Sequence, residues 1–479
     1  MSKKIIYLLS LLMALSLVFA SCKKNSDLDP NNIGGGDQIK DEDNSGTTGE
    51  NGLYADFSNI PTDAKPIITY KVFDLNGTET FRNSIVVPMG SQGNYIAVFS
   101  ENRYTSAKSV NDIALDGETI TDIVYNLNTK AGKENNWTGK KIVGTKATTA
   151  KDSHAAIVVF KISDTEVVIV ASYGAGISRV SKSYDTRGLK SGLQYIKGTL
   201  DEGNNDFKWE QWTDITVNGQ KMDAAIEALS FNDTETSPVQ FKQFGTHSAR
   251  GVVQNKKVYV PIVLANQGDS NTPKESMGNI ILVGDFNSGA TWTLLDNGSK
   301  KIAFEQIANK NGFTKQKESR VYDVDSSGNV KYLTVPSGSA ASTDQYLFTG
   351  IAGQAPTKTT IQAGDGSVGL TKVKWYGSTP YTVADYKGQM NNGDKMLIMH
   401  VANTESNLHI YLTDLNLGGT IRKYKVNNVG KASSIDVLPD GTIITLAEEG
   451  VAEGTAARDR KFNVVFKRYS QAYLDSILK

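Results

Sequence analysis

The stretch GDFNSGATW, Gly284–Trp292, closes an apolar run that begins at Asn279, and its order of polar, small and aromatic residues describes one kind of turn. The short side chains of Asp285 and Asn287 bond the turn's own amides, and Gly289 accepts a positive φ. Thr291 restarts a strand, and Trp292 caps the apolar layer beneath it. Degraded copies, both with insertions, read at Asn126–Trp137 (NLNTKAGKENNW) and Ser183–Gly188 (SYDTRG). A turn that recurs along a chain marks a fold built from similar sheets.

Around it lie short runs rich in β-branched residues and bounded by turn residues: Ser84–Pro88, Asn94–Ser100, Ala155–Ile162, Glu166–Tyr173, Lys257–Ala265, Asn279–Phe286, Lys395–Ala402 and Asn407–Leu415. Helical periodicity is scarce and clearest at Asp223–Leu229 and Tyr469–Leu478. The body is therefore expected to be all-β: a sandwich, a barrel or a propeller, among which period-2 patterning does not choose.

The first residues differ in kind. Lys3 and Lys4 precede an apolar stretch from Ile5 to Phe19, and small residues then lead to Cys22. Charge, apolar stretch and small-residue site describe a secretory signal over residues 1–21, too short for the roughly 20 apolar residues of a membrane span. The segment resembles the lipobox of bacterial lipoproteins, with Phe19 where Leu is commoner. Cys22 is the one cysteine among 479 residues, so an exported chain has no disulfide partner for it. A thioether to lipid uses the thiol. Residues 22–52 hold almost nothing apolar and read as a disordered tether. The expected location is a bacterial outer membrane or cell surface, reached through the lipid anchor.

Lys+Arg and Asp+Glu both total 51, which argues against nucleic acid as a partner. No glycine-rich phosphate loop opens a helix, and there is no GxSxG elbow. His154, His247, His400 and His409 are scattered, the last two on adjacent expected strands without a carboxylate at ligand spacing. Hydrogen-bonded histidines are expected, with no metal and no cofactor.

The turn at Gly284–Trp292 resembles the Asp-box of sialidases, a structural rather than catalytic motif. Read in order, FRNSIVVPMGSQGNYIAVFSENRY (Phe81–Tyr104), GTHSARGVVQNKKVYVPIVLAN (Gly245–Asn266), KESRVYDVDSSGNVKYLTV (Lys317–Val335), NLHIYLTDL and GKASSIDVLPDGTIITLAEEG (Gly430–Gly450) resemble the sialidase and trans-sialidase superfamily over nearly the whole body. The resemblance implies a six-bladed β-propeller over residues 53–470, followed by a short helical tail over 471–479.

It also implies a site. Three arginines would grip the sugar carboxylate as forked donors. A tyrosine polarised by a glutamate would attack the anomeric carbon, and an aspartate would protonate the leaving group. Arg82 matches the first triad arginine, Arg103 the arginine beside the sugar hydroxyls, and Glu318 the polarising glutamate. The acid's place holds Lys108, with Asp112 as a displaced substitute if the loop is rebuilt. Val335 stands where the second arginine belongs, ANTES offers none for the third, and Ala432 occupies the tyrosine position. Arg250 and Arg320, close to matched motifs, read as solvated side chains, or as a rebuilt anion site.

Three functions fit: a catalytically degenerate surface protein that binds a sialylated or other acidic glycan or a protein, an exo-α-sialidase with a rearranged site, or an adhesin-like scaffold. The first is favoured, since acid catalysis alone is worth about 10²–10⁴-fold and a methyl group replaces no nucleophile. Cys22→Ser is expected to block processing or move the protein from the membrane to the soluble fraction; unchanged membrane association would sink the lipoprotein reading.

Overall fold

The computed structural model describes residues 68–73, 79–104, 120–148, 152–174, 191–228, 231–232, 238–239, 241–266, 277–295, 315–337, 345–350, 357–361, 374–381, 395–402, 406–414, 422–438, 442–453 and 461–469. The signal, Cys22, the tether, the Ser183–Gly188 turn, Asp112 and the C-terminal tail lie outside them. The molecule is an all-β propeller. Its strands form consecutive antiparallel meanders, and each named run of the sequence falls on one. Ala155–Ile162 and Glu166–Tyr173, for example, become His154–Lys161 and Glu166–Gly174. The expected helix at Asp223–Leu229 appears as Met222–Glu227.

Among the described residues six meanders follow one another. Their first strands are Thr80–Met89, His154–Lys161, Phe241–Thr246, Lys315–Val324, Lys374–Tyr381 and the later half of Arg422–Val437. That last strand is shared: its early half ends the fifth meander against Ser406–Asp414, and its later half opens the sixth against Ile443–Glu453. The chain's first described strand, Ile68–Phe73, completes the sixth meander by pairing with Lys461–Tyr469. Both ends of the body are thereby tied into one sheet.

The first strands pack around a common axis. Thr80–Met89 touches His154–Lys161, which touches Phe241–Thr246; Val252–Gln254 touches Lys315–Val324; Lys374–Tyr381 bridges that strand to Arg422–Val437, which returns to Thr80–Met89. Apolar cores lie between neighbouring sheets rather than at one centre. Val158, Phe160, Val168 and Val170 pack toward the third meander, while Ile157, Val159, Val167 and Ile169 pack toward the first. Both faces of the second sheet are buried, which is why its strands read as unbroken apolar runs instead of alternating ones.

All six first strands carry one residue more than their partner near the N-terminal end. The bulges fall between Arg82/Ile85, Ala155/Val158, Phe241/Gln243, Gln316/Glu318, Trp375/Gly377 and Gly430/Ser433. A bulge sharpens twist and re-aims side chains, a device common beside binding sites.

The turn at Gly284–Trp292 forms as its sequence expects. Asp285 Oδ1 accepts the Asn287 amide at 2.9 Å, Gly289 has φ +113°, and Trp292 is buried opposite Gly284. These amide bonds, the backbone one foremost, hold the Asp285 carboxyl below its usual range. Asn126–Trp137 uses the same device, with Asn128 Oδ1 accepting the amides of Lys130 and Gly132 at 2.9 and 2.8 Å. A third such turn, absent from the sequence reading, is Asp201–Trp209, where Trp209 lies across from Gly198 and Asn204 bonds Asp201. A Cβ on Gly284 would stand 2.5 Å from the Trp292 ring. Gly284→Ala is therefore expected to destabilise the fold by about 1–3 kcal/mol through overpacking, read as a lower urea midpoint; an unchanged midpoint would show that the indole moves freely.

Candidate functional site

The bulge in Thr80–Met89 places Arg82 and Asn83 at the axial end of the first meander. Asn83 has φ +54°, a left-handed conformation that asparagine tolerates better than most residues. Its backbone N donates to Glu448 Oε1 at 2.7 Å, and its Nδ2 donates to Glu101 Oε1 at 3.0 Å. Each glutamate also holds an arginine. Arg82 Nε stands 2.9 Å from Glu448 Oε2, an ion pair whose N–H points off the oxygen rather than along a hydrogen bond. Arg103 Nη2 donates to Glu101 Oε2 at 2.6 Å. All five residues are at most 4 % exposed. Two cations and two anions balance, so this much buried charge is tolerated.

Glu101 reaches further. Its Oε1 also accepts the Ala156 amide at 2.7 Å and the Ser248 hydroxyl at 3.1 Å. Ala156 sits in the second meander's bulge at φ +53°, so a carboxylate caps a positive-φ amide there as at Asn83. Ser248 belongs to a detour. After Phe241–Thr246 the chain swings toward the axis, and Ala249 and Arg250 pair in parallel with Val158 and Val159. Arg250 Nε lies 2.9 Å from Asp436 on the sixth meander. His247, fully buried, receives a hydrogen bond at Nδ1 from Arg320 Nη1; a guanidinium only donates, so Nδ1 is the acceptor and the ring's proton lies on Nε2. Arg320 is thus buried and Arg250 partly buried, and both are partnered rather than freely solvated.

Glu318 lies two positions before Arg320, and its register partner is Val335. The glutamate's expected arginine neighbour is therefore an apolar residue directly across the ladder. Ala432 is buried in the sixth meander's bulge, on the strand that packs against Thr80–Met89. Arg82 and Arg103 stand on the first two strands of the first meander and Ala432 on the sixth-meander strand that packs against it, while Glu318 and Arg320 belong to the fourth. His400 and His409 are register partners on adjacent strands, and no group of three metal-ligating residues occurs among the described residues.

Sequence reasoning missed Asn83, Glu101 and Glu448, while His247 is hydrogen-bonded as expected of the histidines. Glu101 left one signal: apolar YIAVF gives way to SENR inside a single buried strand.

A further buried group lies at the same end of the second meander. His154 stacks on Trp212 with ring centroids 3.9 Å apart, and its Nε2 bonds Gln194 Oε1 at 2.7 Å. Gln194 Nε2 in turn donates to Asp214 at 2.7 Å. Burial pushes the His154 pKa down to about 4, against the Gln194 bond and the charge of Asp152.

No protein-family model and no curated protein matches this chain. Solved structures do match in fold. A Hadza microbial sialidase superposes with TM-score 0.53 at 11 % identity, over 82 % of this chain and 66 % of that one. Trypanosoma rangeli sialidase gives 0.53 at 13 %, over 84 % and 56 %. A protein of unknown function from Dyadobacter fermentans gives 0.54 at 10 %, over 84 % and 98 %. The chain thus spans less than two thirds of the two sialidases, and at these identities the likeness shows the fold alone.

Because His154 titrates near 4 when folded against 6.5 ordinarily, the folded state binds fewer protons between those values. Its contribution is complete above about pH 6.5 and is lost as pH falls toward 4, about 3 kcal/mol in all. His154→Phe keeps the stack on Trp212 and is expected to flatten the fall in urea-unfolding free energy between pH 6.5 and 5 by about 2 kcal/mol; parallel wild-type and variant curves would count against this account.

Proposed function

We propose, from the sialidase-like propeller fold, that this chain is a lipid-anchored bacterial surface protein that binds a sialic-acid-type acidic glycan without the usual hydrolytic turnover. The observation that carries the reading is a pair of arginines each held by a buried carboxylate, with Ala432 at the place where the resemblance to sialidases implies a nucleophile. Arg82 and Arg103 are each oriented by a buried carboxylate at the axial end of the first meander. Ala432, a methyl group, stands on the adjoining strand where a nucleophile would belong. Val335 opposite Glu318 supports the same reading, since the resemblance implies an arginine where this apolar residue stands. No described helix is long and apolar enough to cross a membrane, so the proposed attachment rests on Cys22.

A fluorogenic aryl α-sialoside at neutral pH is expected to release no measurable fluorophore. An aryl leaving group needs little protonation, so the assay tolerates a missing acid and tests the nucleophile. Turnover that disappears in Glu318→Ala would make the chain a hydrolase with a rearranged site. Binding is read with 3′-sialyllactose by calorimetry. Arg82→Lys keeps a cation against Glu448 but gives up the forked donor, and about tenfold weaker affinity is expected, with a further fall as salt rises. Affinity indifferent to both would move the ligand off these arginines and favour the scaffold reading.

A further inference from the structure

We propose that Asn83 is a positioning residue that couples Arg82 and Arg103 into one unit by holding both of the carboxylates that grip them. Beside the backbone pairing of Arg82 with Glu101, a side-chain route joins the two arginines. Their connection runs Arg82–Glu448–Asn83–Glu101–Arg103, with Asn83 bonded to Glu448 through its backbone N at 2.7 Å and to Glu101 through its side chain at 3.0 Å. Both bonds depend on one conformation. At φ +54° the amide of Asn83 points at the sixth meander while its side chain reaches the second strand of the first. The node is 2 % exposed, so neither bond competes with solvent.

The consequence is directional. Glu101 has two oxygens with different duties: Oε2 serves Arg103, and Oε1 is shared by Asn83, Ala156 and Ser248. Losing the Asn83 donor frees the carboxylate to rotate toward its other partners and shifts the Arg103 guanidinium with it. The Glu448 side is untouched as long as the backbone keeps its positive φ. This inference rests on the reading that the arginines face a bound glycan, and its test separates the two.

Asn83→Gly preserves the backbone conformation and its donor to Glu448 while deleting the donor to Glu101. In calorimetry with 3′-sialyllactose, this variant is expected to bind roughly fivefold to tenfold more weakly than wild type, the range of coupling between contacting residues. In an Arg103→Ala background the same substitution is expected to change nothing. Equal losses in both backgrounds would mean a general structural defect and overturn the proposal. If wild type binds no sialyllactose, the binding reading fails and the proposal is decided without ligand, by peptide-mapped phenylglyoxal labelling of arginines. There, Asn83→Gly is expected to raise labelling of Arg103 several-fold and leave Arg250, held by Asp436, unchanged. The second variant is Glu101→Gln, which keeps the side chain's shape and removes its charge. It is expected to raise labelling at Arg82 as well as Arg103, since the Glu101 carboxylate reaches the Arg82 guanidinium through Asn83 and Glu448. Unchanged Arg103 labelling in Asn83→Gly, or a Glu101→Gln effect confined to Arg103, would show that the arginines are held independently.

Discussion

A buried carboxylate that caps a kinked strand is the interaction on which the axial end of this propeller depends. The bulge in each first strand turns backbone groups out of the ladder, and a buried amide without an acceptor costs about 1–3 kcal/mol. Glu101 supplies the acceptor for Ala156, and Glu448 supplies it for Asn83. Ser172 serves a related purpose one meander on, where its hydroxyl accepts the Thr246 amide at 2.9 Å. Each of these acceptors stands on the second strand of one meander and reaches the first strand of the next. Neighbouring sheets are therefore joined by directed bonds at the axis and by apolar packing farther out.

A carboxylate in that position needs a cation, because an ion buried without a partner costs several kcal/mol. Arg103 and Arg82 meet this need for Glu101 and Glu448, and Lys467 meets it for Glu449, whose carboxyl burial pushes up against the pull of Lys467 and Asn427. Removing any one partner leaves the other charge stranded. Arginine is suited to the role, since its charge is permanent and its fork can hold one partner while presenting other N–H groups elsewhere.

The strands were legible because local chemistry specifies them. EVVIVASY and KVYVPIVLA are β-branched, bounded by turn residues and buried on both faces. The turn at Asp285 was legible for the same reason: every bond it needs lies within a few residues. Asp201–Trp209 uses the same glycine and tryptophan pairing, but extra residues between them broke the spacing that made the first turn recognisable. Of the axial network, Arg82 and Arg103 were legible and the bonds that join them were not. Asn83 and Glu448 are 365 positions apart, and only closure of the ring brings them together. Nothing near Arg320 says that it will meet His247 rather than solvent, because the detour at Ala249–Arg250 that carries His247 inward is a tertiary event.

Two kinds of residue can be told apart by what the fold asks of them. Arg82 and Arg103 balance buried carboxylates, so losing either carries a stability penalty whatever the site does. Ala432 and Val335 answer to the backbone instead: one is buried in a bulge, and the other takes its place in a ladder whose bonds are all backbone. A tyrosine nucleophile or a second carboxylate-binding arginine at those places would serve chemistry alone. The arginines differ in this respect: Arg82 and Arg103 balance the carboxylates that cap the bulged strands, and so belong to the construction of the axial end itself.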